Sequence, residues 1–235
     1  MIDNAQIEIA AEYAVPSERQ MSIGRWRAHF SSGYIRRINS VAMHGERVSD
    51  GAATERLMMI IDVYAERGLR PRLRVTTMDD WIDPMIRRWT EAGEALVMTV
   101  DPQRCEVGST ISIDGWISWL APRAAESGRF DEAAASARML RADNIVVTAT
   151  EGGKIVGVGR AVSTNGLTGL FDIMVDPDHR RRGHARSMID RLRGWAAERD
   201  EEVYLQVAVV NRPAITLYES MGFGERYRYR YRSPD

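Results

Sequence analysis

The sequence predicts an α/β fold made of two unequal units, a smaller one over residues 1–102 and a larger one over residues 103–235. Three observations predict it. Apolar residues recur at helical spacing in some stretches and alternate in others, so helices and strands interleave along the chain. The 235 residues amount to about one and a half ordinary domains. Finally, the first half can be laid over the second with the same order of elements.

The elements follow in order. Asn4 to Ala14 reads as a short helix stopped before Pro16. Trp26–Phe30 and Tyr34–Ala42 flank Ser31-Ser32-Gly33 and read as a hairpin. Ala53, Leu57, Ile60, Ile61 and Tyr64 form the apolar stripe of a helix that Gly68 closes. Leu73 and Val75 alternate with arginines in a short strand. Pro84 opens a further helix that ends near Gly93, and Ala95–Val100 is a strand broken by Asp101-Pro102. In the second unit a helix starts near Asp114, is interrupted at Ser127-Gly128 and resumes to about Arg141. Ile145–Thr150 and Ile155–Val162 flank the Gly152-Gly153 turn as a hairpin, and Leu167–Val175 is the next strand. Ala185, Met188, Ile189, Leu192, Trp195 and Ala196 share one helical face. A strand at Val203–Val209, a helix at Pro213–Met221 and a strand at Phe223–Arg232 complete the chain.

A shift of 132 residues superposes Gly51 on Gly183, Ala53 on Ala185, Ala65-Glu66-Arg67 on Ala197-Glu198-Arg199, Leu73 on Leu205 and Val75 on Val207. After a short loop difference the shift becomes 129, and Pro84 meets Pro213, Ile86 meets Ile215, Trp89 meets Tyr218 and Gly93 meets Gly222. One gapless shift across strand, helix and strand points to an internal duplication.

Composition removes several function classes. A net charge of −1, from 32 basic and 33 acidic residues, disfavours a nucleic-acid binder, and Lys154 is the lone lysine. The single cysteine, Cys105, excludes an internal disulfide and a multi-cysteine metal site. The four histidines show no HxH or HxxxH spacing, so no metal site is expected. No apolar run is long enough to cross a membrane, and the N-terminus shows no signal-peptide pattern, so a cytoplasmic protein is expected.

The chemistry concentrates in Val175-Asp176-Pro177-Asp178-His179-Arg180-Arg181-Arg182-Gly183-His184-Ala185. A strand ends at Val175 and a helix begins near Gly183. The turn between them offers free backbone N–H groups and a helix dipole to an anion. Gly183 allows close approach, and Arg180, Arg181, Arg182 and Arg186 add positive charge. The loop lacks the Lys-Ser/Thr of a nucleoside-triphosphate loop and the three glycines of a dinucleotide fold.

Arg180-x-x-Gly183-x-Ala185 after an apolar strand resembles the pyrophosphate-binding signature of the GNAT superfamily of acyl-CoA-dependent N-acyltransferases. Asn211, Ala214, Leu217-Tyr218 and Gly222-Phe223 resemble its second signature, and the resemblance covers roughly residues 105–235. It implies a mixed, mostly antiparallel sheet flanked by helices, preceded here by a smaller, degenerate unit of the same kind. It also implies acetyl-CoA as cosubstrate. Ile173, Met174 and Val175 would carry the pantetheine arm, and Arg180 to Arg186, including His184, the pyrophosphate. Asn211, Ala214 and Leu217 would flank the arm. The Val175 N–H would hold the oxyanion, and Tyr218 would protonate the departing thiolate. Many relatives carry a glutamate as base on one of two strands, where this chain has Gln206 and Gly169. Asp172 is the nearest carboxylate, although alternation sets it on the face opposite Phe171 and Ile173. A water chain is the other candidate.

In the first half, Val48-Ser49-Asp50 stand opposite Arg180-Arg181-Arg182, Ile82 opposite Asn211 and Trp89 opposite Tyr218. An acid replaces the arginines, so this half is expected not to bind acyl-CoA. Trp26, Arg36-Arg37 and Asn39-Ser40 are expected to shape the acceptor site or the seam between the units. Trp116 and Trp119 are candidates for the acceptor pocket or the core. Arg226, Arg228, Arg230 and Arg232 alternate with tyrosines and are expected to form the wet face of a final strand. The resulting expectation is an N-acetyltransferase acting on a primary amine of a small molecule or peptide, as monomer or homodimer. Protein N-terminal or lysine acetylation and non-catalytic acyl-CoA binding are the alternatives.

Overall fold

A computed structural model describes residues 3–31, 36–106, 115–119 and 143–234. The expected segment from 120 to 142 and the turn at 32–35 lie outside the described residues. One ten-stranded sheet runs through both halves in the order β1-β2-β3-β4-β10-β5-β9-β8-β7-β6. Its strands are β1 (Arg19–Ile23), β2 (Trp26–Phe30), β3 (Val41–Ala42), β4 (Leu73–Thr76), β5 (Thr90–Val100), β6 (Asp143–Glu151), β7 (Lys154–Thr164), β8 (Leu167–Val175), β9 (Glu202–Ala208) and β10 (Gly224–Ser233). Only β3/β4 and β8/β9 pair in parallel; the other pairings are antiparallel.

Read from its two ends, the sheet repeats itself: β1-β2-β3-β4 from one side and β6-β7-β8-β9 from the other. Each series ends in its parallel step. The strands that follow have changed places. β5, from the first half, lies beside β9, while β10, from the second half, lies between β4 and β5. Each half is completed by the last strand of the other.

The helices are α1 (Asn4–Ala14), α2 (Asp50–Ala65), α3 (His184–Ala197) and α4 (Arg212–Glu219), with a further helical stretch at 115–119. On one face, Leu96 and Met98 of β5 and Val203, Leu205 and Val207 of β9 meet Met188, Ile189, Leu192 and Trp195 of α3 and Ile215 of α4. Leu73 and Val75 of β4 meet Leu57, Ile60 and Tyr64 of α2 in a second cluster. On the opposite face, α1 lays Ile7, Ala10 and Ala11 over Ala95, Val97, Tyr204, Tyr227, Tyr229 and Tyr231. This alternation, with odd residues of β9 on one face and even ones on the other, fixes which side chains meet which helix.

Three local expectations are corrected. β2 does pair antiparallel with Val41–Ala42 of the expected partner, but it also has a second partner, β1, joined through the two-residue loop Gly24-Arg25, with Gly24 at φ +65° as a primed turn requires. Of the expected strand Tyr34–Ala42, the described residues from Arg36 on keep only β3 as strand, because Arg37–Asn39 forms a 3-10 turn. There, Asn39 Oδ1 accepts from the Ser31 N–H at 2.8 Å, so a side chain replaces a ladder bond. No helix runs from Pro84 to Gly93. Asp79 accepts from the Thr76 N–H and hydroxyl and the Gly45 N–H, which winds the chain into a 3-10 turn at Asp80–Ile82, and β5 starts already at Thr90.

Candidate functional site

The site grows from the parallel step between β8 and β9. Their pairing runs from Leu167 opposite Glu202 to Leu170 opposite Leu205 and stops there. Beyond it, Phe171–Val175 continues along β7 and Gln206–Ala208 continues along β5, so a wedge opens between them. A bulge starts the wedge. Two residues of β8, Asp172 and Ile173, oppose Gly159 of β7, and Asp172 sits at φ +53°. The bulge breaks the expected alternation: Phe171 and Asp172 both meet Arg160, the first through its ring at 5.2 Å and the second through a 3.0 Å ion pair with Nε.

The edge of the wedge carries a free donor. The Asp176 N–H bonds to Val156 O at 2.9 Å, so Asp176 and Val156 form a hydrogen-bonded pair of the antiparallel ladder. Alternation then turns the N–H of Val175 away from β7 and into the wedge. The Val175 carbonyl, on the same side, accepts from Arg180 Nε at 3.1 Å. The side chains of Ile173, Val175, Ala214, Leu217 and Tyr218 border one apolar cluster, whereas Met174 packs on the opposite face with Trp116, Trp119 and Val158.

The loop after β8 ends at Gly183, the N-cap of α3. Gly183 has φ +84° and Arg181 φ +63°, and a Cβ added at Gly183 would meet nothing within 4 Å. No side chain caps α3 and no acid stands in its first turn. The backbone N–H groups of His184, Ala185 and Arg186 therefore point from an uncapped helix end. Glu151, at the tip of the β6–β7 hairpin, meets Arg182 at 2.5 Å and His184 at 3.0 Å. The hydrogen bond from His184, helped by Arg182, holds the Glu151 carboxyl below its ordinary range. Arg186 donates to the Ser220 hydroxyl at 2.6 Å, tying α3 to the end of α4. Sequence reasoning missed Glu151, because nothing along the chain tells that this hairpin tip reaches the loop.

α4 starts with Asn211 as N-cap, its Oδ1 accepting from the Ala214 N–H at 3.4 Å. Tyr218 lies in the last turn of α4, its ring 5.7 Å from that of Phe223. Burial pushes its phenol up to about 12, so it is protonated at neutral pH.

The first half reaches the same wedge from the α1 face. Arg37 donates to Gln206 Oε1, and Arg74 Nη2 lies 3.4 Å from the same oxygen. Arg74 is buried, bonded to Glu8 at 2.7 and 2.8 Å, and stacks on Tyr229 at 3.4 Å. Tyr227 also donates to Glu8. Beside Arg37 and Arg74 lies a small recess, with room for about one water, lined by Glu8, Glu12, His29 and Ser40. Glu12 pairs with Arg27, His29 and His44 at 3.1, 3.1 and 2.7 Å. Burial pushes its carboxyl up, but the two histidines outweigh it and hold it at about 2.

The remaining candidate residues lie elsewhere in the fold. Trp116 and Trp119 are buried against Val146 and Val158. The β10 tyrosines are buried, while Arg228, Arg230 and Arg232 pair with Glu225, Asp80 and Glu91. That arginine row is neutralised by acids along its length, so it presents no bare basic platform. Among the described residues no group of three His, Cys, Asp or Glu is arranged to hold a metal, and no helix is long and apolar enough to cross a membrane.

Comparison with known proteins agrees with this geometry. The family described as "Probable histone acetyltransferase Rv0428c C-terminal" matches residues 3–232. The ribosomal protein bS18-alanine N-acetyltransferase of Escherichia coli is 42% identical over 57 residues, which is 24% of this chain. The matched stretch spans 38% of that relative's length, so the likeness is to part of it. Among solved structures, a GCN5-related N-acetyltransferase from Kribbella flavida has a TM-score of 0.75 at 14% identity, covering 100% of this chain and 96% of that one. A tandem GNAT protein from the clavulanic acid biosynthesis pathway has a TM-score of 0.63 at 14% identity, covering 97% and 87%. The wedge, the uncapped arginine-rich helix end and the match along nearly the whole chain converge: this protein belongs to that family, within the GCN5-related N-acetyltransferase superfamily.

Proposed function

We propose that the protein is an N-acetyltransferase that moves an acetyl group from acetyl-CoA to a primary amine of a small molecule or peptide by direct attack. The observation that carries this reading is the wedge itself. Pairing stops at Leu170 and Leu205, the Val175 N–H faces the gap, and the gap leads to the uncapped start of α3. A pantetheine arm can replace the missing β-ladder bonds along Ile173, Met174 and Val175, and a pyrophosphate fits the bare N–H groups and arginines at Arg180–Arg186. Asn211, Ala214 and Leu217 flank the arm from α4.

The chemistry then needs little. The amine attacks the thioester carbonyl, and charge develops on its oxygen. The Val175 N–H is a fixed donor to that oxygen, which costs no reorganisation as the charge forms. Tyr218, kept neutral by burial, donates its proton toward sulfur as the C–S bond breaks. The carboxylate of Asp172 is neutralised by Arg160. Its role in this scheme is to fix the bulge, with water carrying the amine's proton away. We assign the transfer to residues 103–235 and a supporting part to 1–102, in a monomer or homodimer in the cytoplasm. The N-terminal amine of a protein is the second reading, favoured by the acceptor named for the Escherichia coli relative.

Turnover of acetyl-CoA thioester against an amine panel tests the proposal. Tyr218→Phe should lower kcat by about a hundredfold and leave the acetyl-CoA Kd within about twofold. Unchanged kcat removes Tyr218 from the mechanism, and no turnover with any amine leaves a binding protein instead.

A further inference from the structure

Unpaired polar groups collect on the α1 face of the wedge. Arg160, 1% exposed, lies between Trp116 and Phe171, with its guanidinium carbon 5.5 and 5.2 Å from the ring centroids. Its Nε is bonded to Asp172, but its Nη1 is buried without a partner. Tyr204 is 1% exposed, and its hydroxyl is likewise buried and unpaired. Its ring reaches across β8 at Gly169, where a Cβ would stand 2.6 Å from its Cζ and Oη, so only glycine admits it. It meets Phe171 edge-on at 6.2 Å, which brings it beside Arg160. Two residues on, Gln206 points to the same face. Its Oε1 is taken by Arg37 and its Nε2 is buried and unpaired.

Charge points the same way. Arg74 is matched by Glu8, Arg160 by Asp172 and Arg27 by Glu12. Arg37 is bonded to a neutral amide, so its charge has no acid partner in this set. Three unmet donors and one surplus guanidinium are the complement of a carboxylate, which accepts up to about four hydrogen bonds.

Resting on the acetyltransferase reading, we propose that the acceptor is a free amino acid. Arg37, Arg160, Tyr204 and Gln206 hold its carboxylate on the α1 face while its amine reaches the wedge. Arg37 comes from the first half, so the half that does not bind acetyl-CoA helps to choose the acceptor.

The test compares each of the proteinogenic amino acids with its decarboxylated amine and its α-amide. Turnover is followed in one arm. In the other, calorimetry follows binding of the same compounds to the CoA-loaded protein. The carboxylate-bearing member of at least one set should show a KM lower by about tenfold or more. Arg37→Gln should raise that KM by about ten- to a hundredfold with the acetyl-CoA Kd unchanged, and Tyr204→Phe should act in the same direction more weakly. Arg37→Lys should recover part of the loss, and thermal unfolding checks that each variant folds. Equal or better use of the decarboxylated amines overturns the proposal, and so does a preference for dipeptides, whose carboxylate stands further from the amine. Absence of turnover with Arg37-dependent calorimetric binding keeps the carboxylate site and removes the acetyltransferase reading. Absence of both removes the site.

Discussion

The turn into α2 and the turn into α3 each follow the strand that makes a parallel step, yet one helix end is closed and the other open. α2 is capped by Ser49, whose hydroxyl accepts from the Ala52 N–H at 3.4 Å, and Asp50 stands in its first turn. The chain thus satisfies that end with its own side chain and its own negative charge. α3 begins at Gly183 with no side-chain cap, no acid in its first turn, and arginines around it. The difference teaches how, on the proposed reading, an anion site in this fold is made by leaving a helix end unfinished. The same contrast holds between the strands. Arg74 and Gln206 stand at the 132-residue spacing of the repeat and touch each other, but Arg74 is locked in a buried ion pair while Gln206 keeps an unpaired amide. One half commits this position to a buried ion pair; the other leaves an amide for the binding role proposed above.

Substitutions can break this contrast. The largest effect belongs to Arg74→Met, which strands Glu8 among Tyr227 and the strands under α1. It should lower the stability of the whole sheet by about 3–5 kcal/mol in denaturant unfolding. A loss under about 1 kcal/mol contradicts the structural role given to this pair.

Gly183→Asp brings an acid to the start of α3, as Asp50 does at the start of α2, and adds a side chain at φ +84°. Acetyl-CoA affinity should fall by about a hundredfold or more, as read by titration. Retained affinity would place the pyrophosphate elsewhere.

Ser49→Ala opens the end of α2 without supplying arginines. It should cost about 1 kcal/mol of stability and create no acyl-CoA binding. Gain of a second site in this variant contradicts the account.

The smallest effect is a pH dependence carried by the first half. Glu12 is held at about 2 in the folded chain against an ordinary 4.5, so its contribution is present above 4.5 and fades as pH falls toward 2. Burial opposes the charge on His44, but its hydrogen bond to Glu12 prevails and raises its pKa above 6.5. That contribution is complete below pH 6.5 and is lost as pH rises through the raised value. A Tm profile should therefore decline on both sides, and Glu12→Gln should flatten both limbs. In the second half the Glu151–His184 pair lies at the surface, and Glu151→Gln should leave the profile unchanged.

The part of this architecture legible in the sequence was the part set by local pattern. The stripe of α2 and of α3, the Gly152-Gly153 hairpin and the arginine loop carry their own period or turn chemistry, and they stand where expected, except that Ile61 of α2 faces solvent. The site's uncapped glycine and Asn211 were legible for the same reason. What failed depended on distant partners. Pro84–Gly93 has a helix-opening proline, but Asp79 ties the preceding turn to Thr76 and Gly45, and β5 needs its residues from Thr90 to lie between β9 and β10. The exchange of β5 and β10 leaves no trace in periodicity, since periodicity reports the two faces of a strand and not its neighbours in the sheet. Arg160 and Tyr204 read as ordinary strand residues, and only the bulge at Asp172 and the gap over Gly169 bring them together.

The central claim is that one half binds acetyl-CoA and the other only shapes the site. Calorimetric titration of the intact chain with acetyl-CoA tests it most directly. The account predicts one molecule bound per chain, lost in Gly183→Asp and kept in Ser49→Ala. Two molecules per chain, or a single one that survives Gly183→Asp, would contradict it.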